Sequence, residues 1–269
     1  MHTIDLDRYC DRIGYTGPRT PTLDTLRAIA FAQATTVPFE NLNVLSGRGV
    51  DLDLAVLEEK IVHQKRGGYC FEQNGLALAA LQQMGFQATG LIGRVRWMMP
   101  DDHPTGATHM VIQVDIDGTT YFFDAGFGGM RLTGPVQFVT DEPQKTPHEE
   151  FRLIKDGGGF MMQGDLGKQW GNIYRFTLDP QTPADYEVSS WYTSTHPESL
   201  FKNFLLVEMP GDGVRRMILN NSFTVRHMGQ APEIRDIPSV DELEQLLEEH
   251  FALTLRDDAD RDAVAKFFA

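Results

Sequence analysis

The chain has 269 residues, with 24 basic and 38 acidic side chains and a net charge of -14. This charge argues against nucleic acid and anionic membranes as partners, because an acidic surface is repelled by both. The N-terminal residues contain no apolar stretch typical of a secretion signal, and no run approaches the length of a membrane span. The two cysteines lie in unlike surroundings, so we expect free thiols in a reducing cytoplasm.

Helical periodicity dominates the first part of the chain. It predicts a short helix that ends at Gly14 and a second helix over 23–33 with Thr22 as its N-cap. A third helix is predicted over 54–64, directly after Asp53.

A fourth helix is predicted to start close to Cys70. Residues 66–74 read RGGYCFEQN, and apolar side chains at helical spacing follow as far as Met84, before Gly85. We expect the two glycines to allow positive φ angles and a close approach to another surface. The unpaired N–H groups of a helix start favour the thiolate, which is the reactive form. Free cysteines are more often small buried hydrophobic residues, and we interpret Cys10, which no glycine precedes, in that way.

The first predicted hairpin carries a candidate base and its partner. Two β-rich runs flank residues 117–118, an Asp-Gly pair typical of a two-residue turn. Such a turn puts His109 opposite Gly126 and places Asp124 as its diagonal neighbour on the same face. The other face then carries four apolar side chains: Met110, Ile112, Tyr121 and Phe123.

A cysteine, a histidine and an aspartate suit nucleophilic catalysis, in which a base activates the thiol and an acid orients the base. Taken singly, His109 can be a hydrogen-bonded histidine at a strand end, and Asp124 a turn-capping acid. The order of the three residues also suits a papain-like protease or a transglutaminase, so it does not name the reaction. A binding module without activity is a further alternative, against which the complete set with Cys70 argues.

The rest of the chain mixes strands with a helix. Strands are predicted over 90–98, 136–139, 151–155, 160–163, 173–178, 214–219 and 222–227. Three glycines at 157–159 mark a turn, and the proline-containing segment 179–199 is interpreted as a linker. A helix is expected from Val240, because Ser239 and Glu242 form the pattern of a capping box.

Short motifs occur in a fixed order along the chain. They are RIGY (12–15), VPFENL (37–42), RGGYCFEQN (66–74), TH (108–109), DAGFG (124–128) and STHP (194–197). Together they closely resemble the arylamine N-acetyltransferase family, along nearly the whole chain. The combination of RGGYC with PFENL is specific. One departure is Gln33, where many members of the family carry a histidine.

The resemblance implies an α+β fold around a cysteine-protease-like Cys-His-Asp core. Its parts are an N-terminal helical domain (1–86), a central antiparallel β-barrel (87–195) and a C-terminal α/β lid (196–269). It also implies that Cys70 accepts an acetyl group from acetyl-CoA, that His109 is its base and that Asp124 orients the base. A small aromatic amine or hydrazine then takes the acetyl group, which implies a role in xenobiotic metabolism.

The resemblance further implies contacts with acetyl-CoA, which is a co-substrate and not a resident cofactor. We expect them from Thr105, Gly106, Gly126, Phe127, Gly128 and Gly129, because glycine-rich turns let amides approach phosphates. Phe39 and Phe127 are candidate apolar walls for the amine. Glu40 and Arg66 form either a partly buried ion pair that braces the loop before the thiol or two separate solvated charges. The histidines show no metal-ligand spacing, so no metal is expected.

Overall fold

The computed structural model describes residues 3–100 and 103–268. The first two residues of the segment searched for a secretion signal therefore lie outside the described residues. The helices are α1 (Leu6–Ile13), α2 (Leu23–Thr36), α3 (Leu42–Leu45), α4 (Leu54–Glu58, continued by a π-helical turn Glu59–His63), α5 (Cys70–Gln83), α6 (Pro183–Thr195), α7 (Leu200–Asn203), α8 (Val240–Phe251) and α9 (Asp258–Ala265). Within the described ranges, no helix is long and apolar enough to cross a membrane.

The helices α1, α2 and α5 pack into one core. The side chain of Asp5 caps α1, and the Thr22 hydroxyl accepts the N–H of Thr25 at the start of α2. Gly14 ends α1 with a φ of 71°, a conformation that costs glycine little. The predicted helices are confirmed, although α2 continues to Thr36.

The strands build two antiparallel sheets. They are β1 (Phe39–Glu40), β2 (Gln87–Val95), β3 (Ala107–Ile116), β4 (Thr119–Phe123), β5 (Val136–Gln137), β6 (Gln144–Lys145), β7 (Glu150–Asp156), β8 (Gly159–Asp165), β9 (Trp170–Phe176), β10 (Leu206–Gly211), β11 (Val214–Leu219), β12 (Ser222–His227) and β13 (Glu233–Asp236). The larger sheet has the order β5-β4-β3-β2-β9-β8-β7-β6 and is nearly closed by a bridge between Thr140 and Leu153. Its interior is filled by apolar side chains, so the predicted barrel is confirmed.

The hairpin of β3 and β4 has the predicted register. Both turn residues, Asp117 with φ 49° and Gly118 with φ 77°, adopt the positive φ that a two-residue hairpin turn of this type requires. Thr119 pairs across the turn, and the ladder continues until Phe123 lies opposite Ile112. Because Phe123 and Ile112 face the helical core, the alternate side chains of the hairpin face the barrel interior.

The smaller sheet belongs to the C-terminal part and has the order β1-β10-β11-β12-β13. Its edge strand β1 comes from the helical part and pairs with β10 through Phe39 and Glu40. Strands β11 and β12 have the predicted ends, and α8 begins at Val240 after Ser239, whose hydroxyl accepts the N–H of Glu242. The lid sheet thus takes one strand from the helical part, and the domain boundaries stay a prediction.

The linker expected over 179–199 is wrong, because most of this segment forms α6. The N–H of Thr182 donates to the Asp185 carboxylate at 2.8 Å, and Pro183 occupies the first helical position. A proline breaks a helix in its interior, but at that position it favours the start. The helix packs beside β3 and buries Tyr186.

Candidate active site

Cys70 is the first residue of α5, and only 3% of its surface is exposed. Its Sγ lies 3.6 Å from the carbonyl oxygen of Thr108, the residue before His109. The N–H of Tyr69 donates to the carboxylate of Glu72 at 3.0 Å, which fixes the start of the helix. The predicted position of the thiol at a helix start is confirmed.

Residues 66–69, here called the nucleophile loop, lead directly into this helix. A Cβ added to Gly67 would lie 2.0 Å from the carbonyl oxygen of Pro38, and one added to Gly68 would lie 2.7 Å from the Glu72 carboxylate. The expected close approach is therefore confirmed. The expected positive φ is wrong, since neither glycine has one. These glycines are needed for space alone.

His109 and Asp124 form a buried pair just beyond the last ladder pair of the hairpin. Nε2 of His109 lies 2.7 Å from Oδ2 of Asp124. Burial alone would lower the pKa of His109, but the charge and hydrogen bond of Asp124, together with the neighbouring Cys70, raise it to about 10. His109 is therefore protonated at neutral pH, and a cation beside a thiol favours the thiolate.

Two aromatic rings enclose the imidazole. The ring centroid of Tyr174 lies 4.6 Å from that of His109, and Phe127 meets the imidazole edge-on at 5.2 Å. Burial and the charge of Asp124 raise the pKa of the Tyr174 phenol well above its usual range, so the phenol stays neutral. The sequence did not indicate Tyr174. This residue lies on β9, which comes close to His109 on β3 only because both strands pair with β2 in the barrel.

Asn74 connects the helix of the thiol to both strands of the hairpin. Its Nδ2 donates to the Met110 carbonyl at 2.7 Å and to Oδ1 of Asp124 at 2.8 Å, and its Oδ1 accepts the N–H of Ala125 at 3.1 Å. The amide thus bridges the strands where their own ladder has ended. Sequence reasoning missed this role, although the spacing of four residues from Cys70 places Asn74 on the same helix face.

The glycines after Asp124 bring the hairpin against the helix start. A Cβ added to Gly126 would lie 2.9 Å from the Cα of Cys70, and one added to Gly128 would lie 2.6 Å from the Phe39 ring. A Cβ on Gly129 would lie 3.1 Å from the Trp97 indole nitrogen. The structure therefore brings together most of the predicted residues: Cys70, His109, Asp124, Gly126, Phe127, Gly128 and Phe39.

Thr105 and Gly106 lie on the loop before β3, and Thr105 lines a groove of about 630 Å³ beside the barrel. The groove has three basic side chains in its lining: Arg94, Arg96 and Arg175. Nη1 of Arg94 donates to the Thr105 carbonyl at 2.6 Å, and the Thr105 hydroxyl is buried with no hydrogen-bond partner in the described part of the chain. Asp156 is the acidic residue of the lining. The groove is therefore basic, although the chain as a whole is acidic.

Glu40 and Arg66 form a buried ion pair, so the alternative of two solvated charges is wrong. Nη2 of Arg66 lies 3.3 Å from Oε1 of Glu40, and neither side chain exposes more than 3% of its surface. Among residues 3–100 and 103–268, no group of three or more His, Cys, Asp or Glu side chains is placed to hold a metal ion. The expectation of no metal stays a prediction.

A family model described as N-acetyltransferase matches residues 22–260. The chain therefore belongs to the N-acetyltransferase family, in the arylamine N-acetyltransferase branch that the sequence motifs predicted.

Relatives and solved structures agree with this assignment. The arylamine N-acetyltransferase of Escherichia coli (strain K12) is 38% identical over 254 residues, which is 94% of this chain and 90% of the relative. That of Mycolicibacterium smegmatis is 39% identical over 267 residues, or 98% and 97% of the two chains. The structure of Mycobacterium marinum arylamine N-acetyltransferase superposes with a TM-score of 0.95 at 33% identity, covering 98% of this chain and 100% of that one. The structure of the Mycobacterium marinum protein in complex with CoA superposes with a TM-score of 0.94 at 34% identity, covering 98% of this chain and 99% of that one.

Proposed function

We propose that this protein transfers an acetyl group from acetyl-CoA, through a thioester on Cys70, to the nitrogen of an arylamine or arylhydrazine. The observation that carries the proposal is a buried thiol at a helix start beside a histidine that is hydrogen-bonded to Asp124. The CoA complex of the Mycobacterium marinum relative supports the donor, and the names of the relatives support the class of acceptor.

In the first half-reaction, the Cys70 thiolate attacks the acetyl carbonyl of acetyl-CoA. The C–S bond to CoA breaks, and the leaving CoA thiolate takes the proton of His109. We assign the backbone N–H groups of Cys70 and Phe71 to the oxyanion of the tetrahedral intermediate, because a helix start directs such donors outward. Covalent catalysis of this kind divides one acyl transfer into two easier steps.

In the second half-reaction, the amine nitrogen attacks the carbonyl of the thioester. His109, now neutral, takes the proton from that nitrogen, and the Cys70 thiolate leaves. Asp124 stabilises the imidazolium and fixes its orientation in both steps. The final state restores the ion pair, so no resident cofactor is needed and acetyl-CoA acts as co-substrate.

An acidic chain must hold an anionic donor by local groups. We propose that amides of the glycine cluster approach the donor beside Cys70, and that the loop before β3 forms the facing wall. The residues assigned to these contacts are Thr105, Gly106, Gly126, Phe127, Gly128 and Gly129. The basic groove that Thr105 lines supports the assignment of Thr105, since arginines suit phosphate oxygens.

The acceptor site is assigned to the apolar space between Phe39 and Phe127. Phe39 packs with Cys70 in one apolar cluster, and Phe127 contacts the imidazole of His109. Aromatic walls favour a flat acceptor ring through offset or edge-on packing. The free thiols of Cys10 and Cys70 support the cytoplasm as the site of action.

The intact mass of the protein after mixing with acetyl-CoA, without acceptor, tests this function. One added acetyl group is expected, and peptide mapping is expected to place it on Cys70 and not on Cys10. Adding an arylamine should remove it and yield the acetylated amine. A protein that gains no acetyl group but hydrolyses amides without acetyl-CoA would instead be a cysteine hydrolase or a transglutaminase-like enzyme.

A further inference from the structure

Charged side chains form a continuous buried row beneath the nucleophile loop. The row alternates in sign and leads from α9 to the first turn of α5: Asp260, Arg66, Glu40, Lys60 and Glu72. No member exposes more than 8% of its side chain. We call it the buried ion row. A buried charge that loses its partner is strongly destabilised, so each member depends on its neighbours.

Arg66 joins the two halves of the buried ion row. Its Nη1 lies 3.5 Å from Oδ2 of Asp260, while its Nη2 lies 3.3 Å from Oε1 of Glu40. Lys60 continues the row, with Nζ 3.7 Å from Glu40 and 2.6 Å from Oε1 of Glu72. The planar guanidinium can hold two carboxylates in fixed directions, which a lysine cannot do.

The row holds the nucleophile loop at both ends. Arg66 is the first residue of the loop, and the Glu72 carboxylate accepts the N–H of Tyr69, its last residue. Between them the backbone is tied to β1, where the Glu40 N–H donates to the Gly68 carbonyl at 3.2 Å. Arg66 and Tyr69, the residue before Cys70, are therefore held by members of the same buried ion row.

Asp260 brings the C-terminal helix into this arrangement. It lies in the first turn of α9, far from the loop in sequence, and its carboxylate is fully buried among Arg48, Arg66 and Arg256. Burial alone would raise the pKa of Asp260, but the Arg256 N–H and the arginine charges lower it. Asp260 is thus an ionised partner for Arg66.

We infer that Asp260 is a positioning residue for the nucleophile: it acts through Arg66 and the nucleophile loop to hold Cys70 opposite His109. The C-terminal helix α9 then helps to position the nucleophile, besides packing on the apolar core of the C-terminal part. The inference rests on the proposed role of Cys70. Without the Asp260 carboxylate, Arg66 loses one of its two partners, and a shift of about 1 Å in a reacting group can cost about 10²-fold in rate.

Asp260→Asn tests the inference with a side chain of nearly the same shape. The rate of Cys70 alkylation by iodoacetamide, followed by peptide mass with Cys10 as internal reference, is expected to fall by about 10²-fold near neutral pH. The rate of acetylation by acetyl-CoA should fall by a similar factor, and the pH profile of alkylation should move to higher pH. The KM for the amine should stay unchanged.

Three matched variants separate positioning from general stability. Asp258→Asn removes the same charge from an exposed position in the same helical turn, and it should leave alkylation at the parent rate. Arg48→Gln and Arg256→Gln remove the other partners of Asp260, so they should lower the Tm and leave the alkylation rate of the folded protein unchanged. If either arginine variant slows alkylation as much as Asp260→Asn does, Asp260 does not act through Arg66.

The remaining outcomes also decide the matter. A folded Asp260→Asn variant that alkylates at the parent rate overturns the inference. If that variant does not fold, Asp260→Glu keeps the charge but is one methylene longer, so it displaces the Arg66 guanidinium. Alkylation of this variant at the parent rate would equally overturn the inference. Alkylation needs no acetyl-CoA, so failure of the parent protein to become acetylated would contradict the proposed function and not this inference.

Discussion

Two regions of the molecule each bury a cysteine, and they differ in what surrounds the sulfur. Cys10 on α1 and Cys70 at the start of α5 are exposed by only 2% and 3%. Cys10 lies within its helix, where burial raises the pKa of its thiol and Arg19 opposes this only in part. Cys70 begins its helix and faces His109, whose pKa is raised to about 10.

Burial therefore does not distinguish a packed thiol from the proposed nucleophile. At Cys10, the lost hydration of the thiolate outweighs the attraction of Arg19, so the thiol keeps its proton. Cys70 instead has a helix start and the imidazole of His109 beside its sulfur. The charges around the sulfur, and not its accessibility, therefore separate the two sites.

Removing each thiol in turn gives the largest expected contrast. Cys70→Ala should abolish acetylation and turnover, because no thioester can form. Cys10→Ala should keep both close to the parent values. The measurement is steady-state acetylation of an arylamine, with circular dichroism to establish that both variants are folded. Equal loss of activity in the two folded variants would contradict the assignment of Cys70 as the nucleophile.

Asp124→Asn is expected to lower turnover by about 10⁴-fold, as the loss of an orienting carboxylate does in a related triad. The pKa of His109 should fall, so alkylation of Cys70 should need a higher pH. Asp115→Asn, a change of the same kind in the same hairpin, serves as the control and should have little effect. If Asp124→Asn alkylates and turns over like the parent, Asp124 does not orient His109.

Asn74→Ala should have a smaller effect, of about 10²-fold on turnover, because it loosens both hairpin strands without removing a charge. Gln82→Ala is the matched control, since Gln82 also lies on α5 and donates to a backbone carbonyl, that of Ala88. Parent activity in a folded Asn74→Ala variant would show that the bridge between helix and hairpin is dispensable.

The smallest effect is expected in the way the free energy of unfolding changes with pH, to which the Cys10 thiol contributes. Its folded pKa is raised, so the folded state keeps a proton that the unfolded state loses from about pH 8.5 upward. The parent should therefore lose stability with rising pH faster than Cys10→Ala, by at most about 1.4 kcal/mol per pH unit. Urea unfolding at several pH values measures this. A faster loss in Cys10→Ala would mean that the Cys10 thiolate is stabilised.

Local signals predicted the hairpin well. The Asp-Gly turn and the two-residue period of a strand together fix its register, so the pairing of Ile112 with Phe123 and the shared face of His109 and Asp124 followed from short-range chemistry. The start of α6 shows the opposite case. Its sequence contains the capping box of Thr182 and Asp185, but the prolines of this segment led to the prediction of a linker, whereas Pro183 is a first helical residue.

The sequence by itself determined the starts of α2, α4, α5 and α8, the hairpin register and, through its motifs, the family. It could not determine that Asn74 would bridge two strands, that Tyr174 would cover the imidazole or that Asp260 would reach Arg66. These contacts join residues that are far apart in the chain, and they exist only because α5, the barrel and α9 pack together. Which of two buried thiols meets a histidine was therefore decided by tertiary packing, since a helix start can favour a thiolate but cannot bring a base to it.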